Sequence, residues 1–262
     1  MPVDPLQVLR AAQRPMPAVP SAAALGTLLI AGATGALGNE LVRRLAGSHR
    51  YAHTRVLARE PMRDGLRGVE TVLVPTTSGA LESSSKAMPI AEWPRVSADT
   101  AIVAFDPPRL YHDRERALWL PDPAQLPDLA RWLRACGVTT LVIVQPHAQG
   151  GMPEALKRGL ASLDEQAVVA LGFDRVILLR SAQKPTALKH ANTGEKLAAW
   201  MLSITRLMVP SSEQPVRASK VAELVDVALV LAPPGVHIAA PELVWRASQG
   251  DLRGVARSWL GA

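Results

Sequence analysis

Three glycines spaced three apart, Gly32, Gly35 and Gly38, interrupt the run TLLIAGATGALGNELVRRL between Thr27 and Leu45. Before them, Leu28, Leu29, Ile30 and Ala31 form a short continuous apolar run, the pattern of a parallel strand covered on both faces. After them, Leu37, Leu41, Val42 and Leu45 recur at helical spacing while Glu40, Arg43 and Arg44 point elsewhere. Strand, glycine turn and helix in that order aim backbone N–H groups and the positive end of the helix dipole at a pyrophosphate. The glycines let the ligand approach with no Cβ in the way. The spacing is G-x-x-G-x-x-G rather than the commoner G-x-G-x-x-G, and the flanking strand and helix supply the context that the pattern needs. A purely structural tight turn is the alternative.

About twenty residues further on, RVLAREP gives a second strand, Arg55 to Ala58, that ends at Arg59. An acidic residue at that strand end would accept hydrogen bonds from a ribose 2′-hydroxyl, whereas an arginine would pair with a 2′-phosphate. Arg59 therefore favours NADP, with NAD kept open because Glu60 follows directly and a shift of the strand end would present a carboxylate instead. A solvated charge at a strand end is the other reading of Arg59.

The elements that must hold such a turn continue along the chain. VETVLVP (69–75), TAIVAFD (100–106), TTLVIVQP (139–146), DRVILLRS (174–181) and GVHIAAP (235–241) are short branched-apolar runs bounded by Gly, Pro or polar residues. Between them LPDLARWLRACG aligns Leu126, Leu129, Leu133 and Cys136 and stops at Gly137. PEALKRGLASLDEQAVVALG starts at Pro153, aligns Leu156, Leu160, Leu163, Ala167 and Leu171, and stops at Gly172. KVAELVDVALVLA places Val221, Leu224, Val225, Ala228 and Leu231 or Leu229 on a core face. This alternation predicts an α/β fold, a doubly wound and mostly parallel sheet. No internal repeat is present.

The chain of 262 residues, 48% hydrophobic and 20% charged, is long enough for one sizeable core and requires one domain, 26–262, with 183–262 contributing a small carboxyl-terminal lobe on the substrate side. The opening 25 residues, rich in Pro and Ala, read as a flexible arm without the apolar centre of a signal peptide. No apolar run approaches the roughly 20 residues of a spanning helix. The single cysteine, Cys136, excludes an internal disulfide framework and points to a reducing, cytoplasmic setting. Lys and Arg number 29 against 23 acids, but the excess is scattered. There is no basic run, aromatic-interleaved patch or zinc spacing, so neither nucleic acid nor a metal is expected.

Two long connections, 76–99 and 107–126, carry much Ser, Pro and charge. Loops at the carboxyl ends of strands surround the ligand crevice of an open α/β sheet, which makes Asp106, Arg109, Tyr111 and His112 candidates to touch a substrate. Solvated loops are the alternative. GEKLAAWMLSITRLMV, within 192–209, is apolar over more than one face and needs a cover: the core, a partner subunit in a homo-oligomer, or a membrane surface.

LLIAGATGALGNELVRRL, the arginine after the second strand and VVALGFDRVILLRS together resemble the atypical short-chain dehydrogenase/reductases, particularly the Tat-interacting-protein-like and NmrA-like NAD(P)-binding proteins. The resemblance runs from Thr27 to about Ser181, and more loosely to Leu243. It implies a Rossmann-type fold, with Gly32, Thr34, Gly35, Ala36, Leu37 and Gly38 as the pyrophosphate loop and Arg59 favouring NADP. Arg180 would stand for the arginine at the end of the sixth strand, although the Pro-Gly that often follows is here Ser181-Ala182.

The family's catalytic residues do not carry over. Its enzymes place a serine after the fifth strand and a Tyr-x-x-x-Lys on the next helix, where the tyrosine exchanges a proton while hydride moves at the nicotinamide. Here Gln145 or Pro146, Lys157 and Ala161 fall at those three places. The two tyrosines of the chain, Tyr51 and Tyr111, are followed four residues later by Arg55 and Glu115. His147 and Lys157 are weak substitutes near the substrate side, with Gln149 beside them. A loop histidine and a solvated helix lysine are the plainer readings.

Three functions therefore compete. The first is a non-catalytic or sensor-like NAD(P)(H)-binding protein. The second is an NADPH-dependent carbonyl or quinone reductase with substitute acid/base residues. The third is an interaction or assembly factor with a vestigial nucleotide site.

Overall fold

The computed structural model describes residues 26–61, 68–77, 86–106, 113–147, 162–182 and 216–262. The arm 1–25, Arg109, Tyr111, His112, Gln149, Lys157, Ala161 and the apolar segment 192–209 lie outside the described residues.

The strands in chain order are β1 (Thr27–Ala31), β2 (His53–Ala58), β3 (Val69–Leu73), β4 (Thr76–Thr77), β5 (Lys86–Ala87), β6 (Thr100–Ala104), β7 (Thr140–His147), β8 (Arg175–Ala182) and β9 (Gly235–Ala239). Seven form one sheet in the order β3-β2-β1-β6-β7-β8-β9, every neighbouring pair parallel, while β4 and β5 pair antiparallel on their own. Strand order reverses between β1 and β6, which makes their carboxyl ends the switch point of a doubly wound, Rossmann-type fold.

The helices are α1 (Gly35–Ala46), α2 (Asp113–Ala117), α3 (Leu126–Ala135), α4 (Leu163–Val169), α5 (Ala218–Leu231), α6 (Pro241–Gln249) and α7 (Leu252–Leu260). Alternate strand residues feed two separate cores. Leu28, Ile30, Val56, Ile102, Val142 and Ile177 meet Leu41 and Leu45 of α1 and the buried faces of α5, α6 and α7. Leu29, Val103, Leu141 and Leu178 meet α3 and a group of aromatic rings. Trp93 packs edge-to-face on Trp119 at 5.1 Å and on Trp132 at 5.3 Å between ring centres. All five residues of β6 are buried, which is why its sequence reads as an unbroken apolar run.

One helix departs from its sequence expectation. The apolar spacing predicts a continuous helix from Pro153 to Leu171, but α4 begins at Leu163, where the Ser162 hydroxyl caps it by accepting from the Glu165 N–H at 3.2 Å. Leu163, expected on the buried face, is 81% exposed. The buried positions are Glu165 and Val168. A cap fixes the phase of the helix that follows it, and here it overrides the periodicity read across it.

Candidate functional site

At the carboxyl end of β1 the chain turns through Gly32 (φ 78°) and Gly35 (φ 67°) into α1. A Cβ on Gly32 would run into the Ala104 carbonyl oxygen, and one on Gly38 into the Ala33 backbone. The left-handed φ and these close approaches require glycine whatever the turn binds. Leu37, Leu41, Val42 and Leu45 bury their side chains under the sheet, and Ala36 is exposed. Thr34 occupies the cap position with extended backbone but makes no capping bond. Its hydroxyl instead donates to the carbonyl of Asp106, just past β6.

The first N–H groups of a helix have no partner within it and carry its positive end. In this turn two of them already have anionic partners. Gly35 N–H donates to Glu115 Oε2 at 3.0 Å, and Leu37 N–H donates to Asp106 Oδ2 at 2.8 Å. The other Glu115 oxygen accepts from Asn39 Nδ2 at 2.7 Å, and that amide also donates to the Gly35 carbonyl at 2.7 Å. Glu115 is only 3% exposed. Asp106 and Glu115 thus bridge the switch point, each presenting carboxylate oxygen where a phosphate oxygen would seek the same donors.

The segment after α2 closes the turn further. Leu118 lies antiparallel to Ala58, so this stretch adds to the carboxyl end of β2. Arg59 N–H donates to the Ala117 carbonyl at 2.7 Å and Trp119 N–H to the Leu57 carbonyl at 2.9 Å. The Trp119 carbonyl accepts from Gly32 N–H at 3.2 Å. Leu118 and Trp119 are buried there. Asp106, expected among residues that touch a substrate, is therefore engaged with the glycine turn, and the described stretch 115–119 returns across it. Sequence reasoning missed Glu115 altogether. The available signal was a pair of acids, Asp106 and Glu115, in the long connection leaving the strand next to β1.

Arg59 is the first residue beyond β2, exposed and without a side-chain partner among the described residues, and Glu60 beside it is exposed too. The donor set fits a phosphorylated dinucleotide in kind: helix-start N–H groups and a neighbouring guanidinium. In the described conformation it does not fit one in space, because carboxylates take the donors.

The end of β7 lies in register with that of β8, pairing Gln145 with Arg180, Pro146 with Ser181 and His147 with Ala182. Arg180, 2% exposed, donates from Nη2 to Glu165 Oε2 at 2.8 Å, and Glu165 is equally buried. The arginine thus locks α4 to β8. Tyr51 precedes β2, at the opposite end of the sheet from the glycine turn, so it lies outside the switch-point region. Burial raises its phenol above the usual value, against smaller lowering effects of Thr100, Arg50 and Arg175. Cys136 occupies the cap position at the end of α3; burial raises its thiol above the usual value, and the sulfur accepts from Val96 N–H at 3.4 Å. Among the described residues no group of three or more His, Cys, Asp or Glu is arranged to hold a metal, and no helix is long and apolar enough to cross a membrane.

No protein-family model and no curated protein matches the chain. Solved structures do. A nucleoside-diphosphate-sugar epimerase from Staphylococcus aureus is 14% identical with a TM-score of 0.43 over 78% of this chain, which spans 66% of the epimerase's length. WbmG from Bordetella bronchiseptica, solved in complex with NAD, is 14% identical with a TM-score of 0.44 over 93% of this chain and 81% of its own. A Rossmann-fold NAD(P)-binding family protein from Shigella flexneri is 15% identical with a TM-score of 0.41 over 79% of this chain and 87% of its own. What they share with this chain is architecture.

Proposed function

We propose that this chain is a non-catalytic, sensor-like Rossmann protein in which NADP(H) and the chain's own acidic segment compete for one glycine turn. The observation that carries this reading is the pair of bonds from Gly35 and Leu37 N–H to the Glu115 and Asp106 carboxylates. A turn that holds two carboxylates is an anion site by construction. A pyrophosphate entering beside them would meet like charge, so binding requires Asp106 and the stretch 115–119 to give up these contacts. Binding and segment release then become one equilibrium, and a ligand shifts it only by its differential affinity for the two states. Arg59, exposed beyond the end of β2 and without a side-chain partner among the described residues, favours the 2′-phosphorylated cofactor.

A bound dinucleotide would supply hydride chemistry, but the acid/base residues that the resemblance would bring to such a reaction are not in the sequence. The chain has no Tyr-x-x-x-Lys, and Gln145 and Pro146 stand at the end of β7 where a serine would be. General acid help of that kind is worth on the order of 10² to 10⁴ in rate. Purified protein is therefore expected to bind NADPH without oxidising it across a panel of aldehydes, ketones, quinones and enones.

Calorimetric titration of NADPH and NADH into the unmodified protein, Asp106→Asn and Glu115→Gln tests the competition. Neutralising either carboxylate should tighten NADPH about tenfold, as removal of roughly 1.4 kcal/mol of opposition would do. Equal, tight affinity in all three proteins would remove the competition. No binding in any of them would favour an interaction factor with a vestigial nucleotide site, a reading supported by the internal packing that already accounts for Gly32 and Gly38.

A further inference from the structure

At the other end of the sheet, away from the glycine turn, α5 and α7 and the chain between α1 and β2 line an open-sided cavity of about 360 Å³. Its charged lining is Arg50, Arg253 and Arg257 against Asp226, an excess of two positive charges. Asp226 is already committed: Arg50 pairs with one of its oxygens, and Arg44 Nε donates to the other at 3.0 Å. Arg253 and Arg257 have no ion-pair or hydrogen-bond partner among the described residues, and both are exposed. Their spacing of four on α7 puts them on one face, a turn apart. Arg253 sits in the first turn of α7, the positive end of the helix, where a cation weakens rather than supports it. Neither helix stability nor an internal salt bridge accounts for it there.

The rest of the lining is largely apolar. Val227 and Leu231 line the cavity from α5, and Val230 beside them is 62% exposed. Two guanidinium forks with no ion-pair partner among the described residues, lining one cavity together with aliphatic side chains, suit an oxyanion head attached to a short apolar body. The volume lies at the small end of the range for organic ligands.

We infer that this cavity, lined by Arg253, Arg257 and Val230, is a binding site for a small organic anion, a phosphate or carboxylate head on a short aliphatic body. It is independent of the glycine turn in position and in the residues it uses.

The test uses full-length protein and four probes: hexyl phosphate, heptanoate, inorganic phosphate and hexanol. Backbone amide shifts and calorimetry are followed for the unmodified protein, for Arg253→Gln/Arg257→Gln and for Val230→Asp. Saturable binding of hexyl phosphate or heptanoate is expected, at least tenfold tighter than inorganic phosphate or hexanol, with shifts confined to 226–231 and 253–257. Whichever of the two amphipathic probes binds more tightly identifies the head group. The double variant should lose at least tenfold in that affinity with its melting curve unchanged, because both arginines are exposed and have no ion-pair partner among the described residues. Val230→Asp, in the aliphatic part of the lining, should lose it as well. Failure of both amphipathic probes to bind, parity with inorganic phosphate, shifts centred on Gly32–Gly38, or full affinity in the double variant would each overturn the inference.

Discussion

The two ends of the sheet handle charge in opposite ways. At the carboxyl ends of the strands, anion-seeking backbone donors are matched by carboxylates that the chain itself delivers, Asp106 and Glu115, and a buried arginine is matched by Glu165. At the amino ends, Arg253 and Arg257 line a cavity with apolar side chains and have no such match among the described residues. Residue type alone would have ranked these regions the other way, because the glycine turn carries the recognisable motif. Charge that the fold has already neutralised contributes to stability, and charge left over is available to a ligand.

The contrast breaks most sharply at Arg180. Replacing it with methionine leaves the Glu165 carboxylate buried without that guanidinium and should cost about 3–5 kcal/mol in urea unfolding. Replacing both partners with methionine should recover much of that loss, since a pair removed together leaves no stranded charge. If the double change is as damaging as the single one, the pair does more than neutralise itself. Glu115→Gln is gentler: it keeps an acceptor for Gly35 N–H and should lower stability by about 1–2 kcal/mol while NADPH affinity rises. At the opposite end, Arg253→Gln/Arg257→Gln should change stability by less than about 0.5 kcal/mol, as for surface substitutions that disturb no internal partner. A larger fall in its urea midpoint would mean that these arginines do have a structural duty.

The smallest effect belongs to the exposed sheet edge. Arg55, with a lesser contribution from His53, holds the Glu70 carboxyl below its usual range. A carboxyl depressed in the folded state adds stability above its unfolded pKa and loses it as pH falls through the folded value. Unfolding curves of Glu70→Gln should therefore converge slightly with those of the unmodified protein on acidification below about pH 4. Divergence on acidification would reverse the sign.

The sheet was legible in the sequence because each central strand is buried on both faces, so β1, β6, β7 and β8 all read as branched-apolar runs. The glycine turn was legible because its left-handed backbone and close contacts restrict the residue type. α4 departs from its apolar periodicity for a local reason: Ser162 and Glu165, at capping spacing, start a helix there, and an acidic residue is the one that goes inside to meet Arg180. Nothing local marks Glu115 as a partner of Gly35, eighty positions earlier. That contact exists only once the connection after β6 folds back over the strand ends.

The tryptophan trio gives this protein an optical reporter of its own. Trp119 belongs to the segment that covers the glycine turn, whereas Trp93 and Trp132 sit in the core beneath. Displacing that segment would pull one indole away from the T-shaped stack into a wetter environment and change the emission of the cluster. NADPH absorbs where indole emits, so bound cofactor would also quench the remaining tryptophans by energy transfer. Comparing NADPH with a non-absorbing fragment such as adenosine 2′,5′-bisphosphate would separate release of the segment from occupancy of the site, with no label attached to the chain.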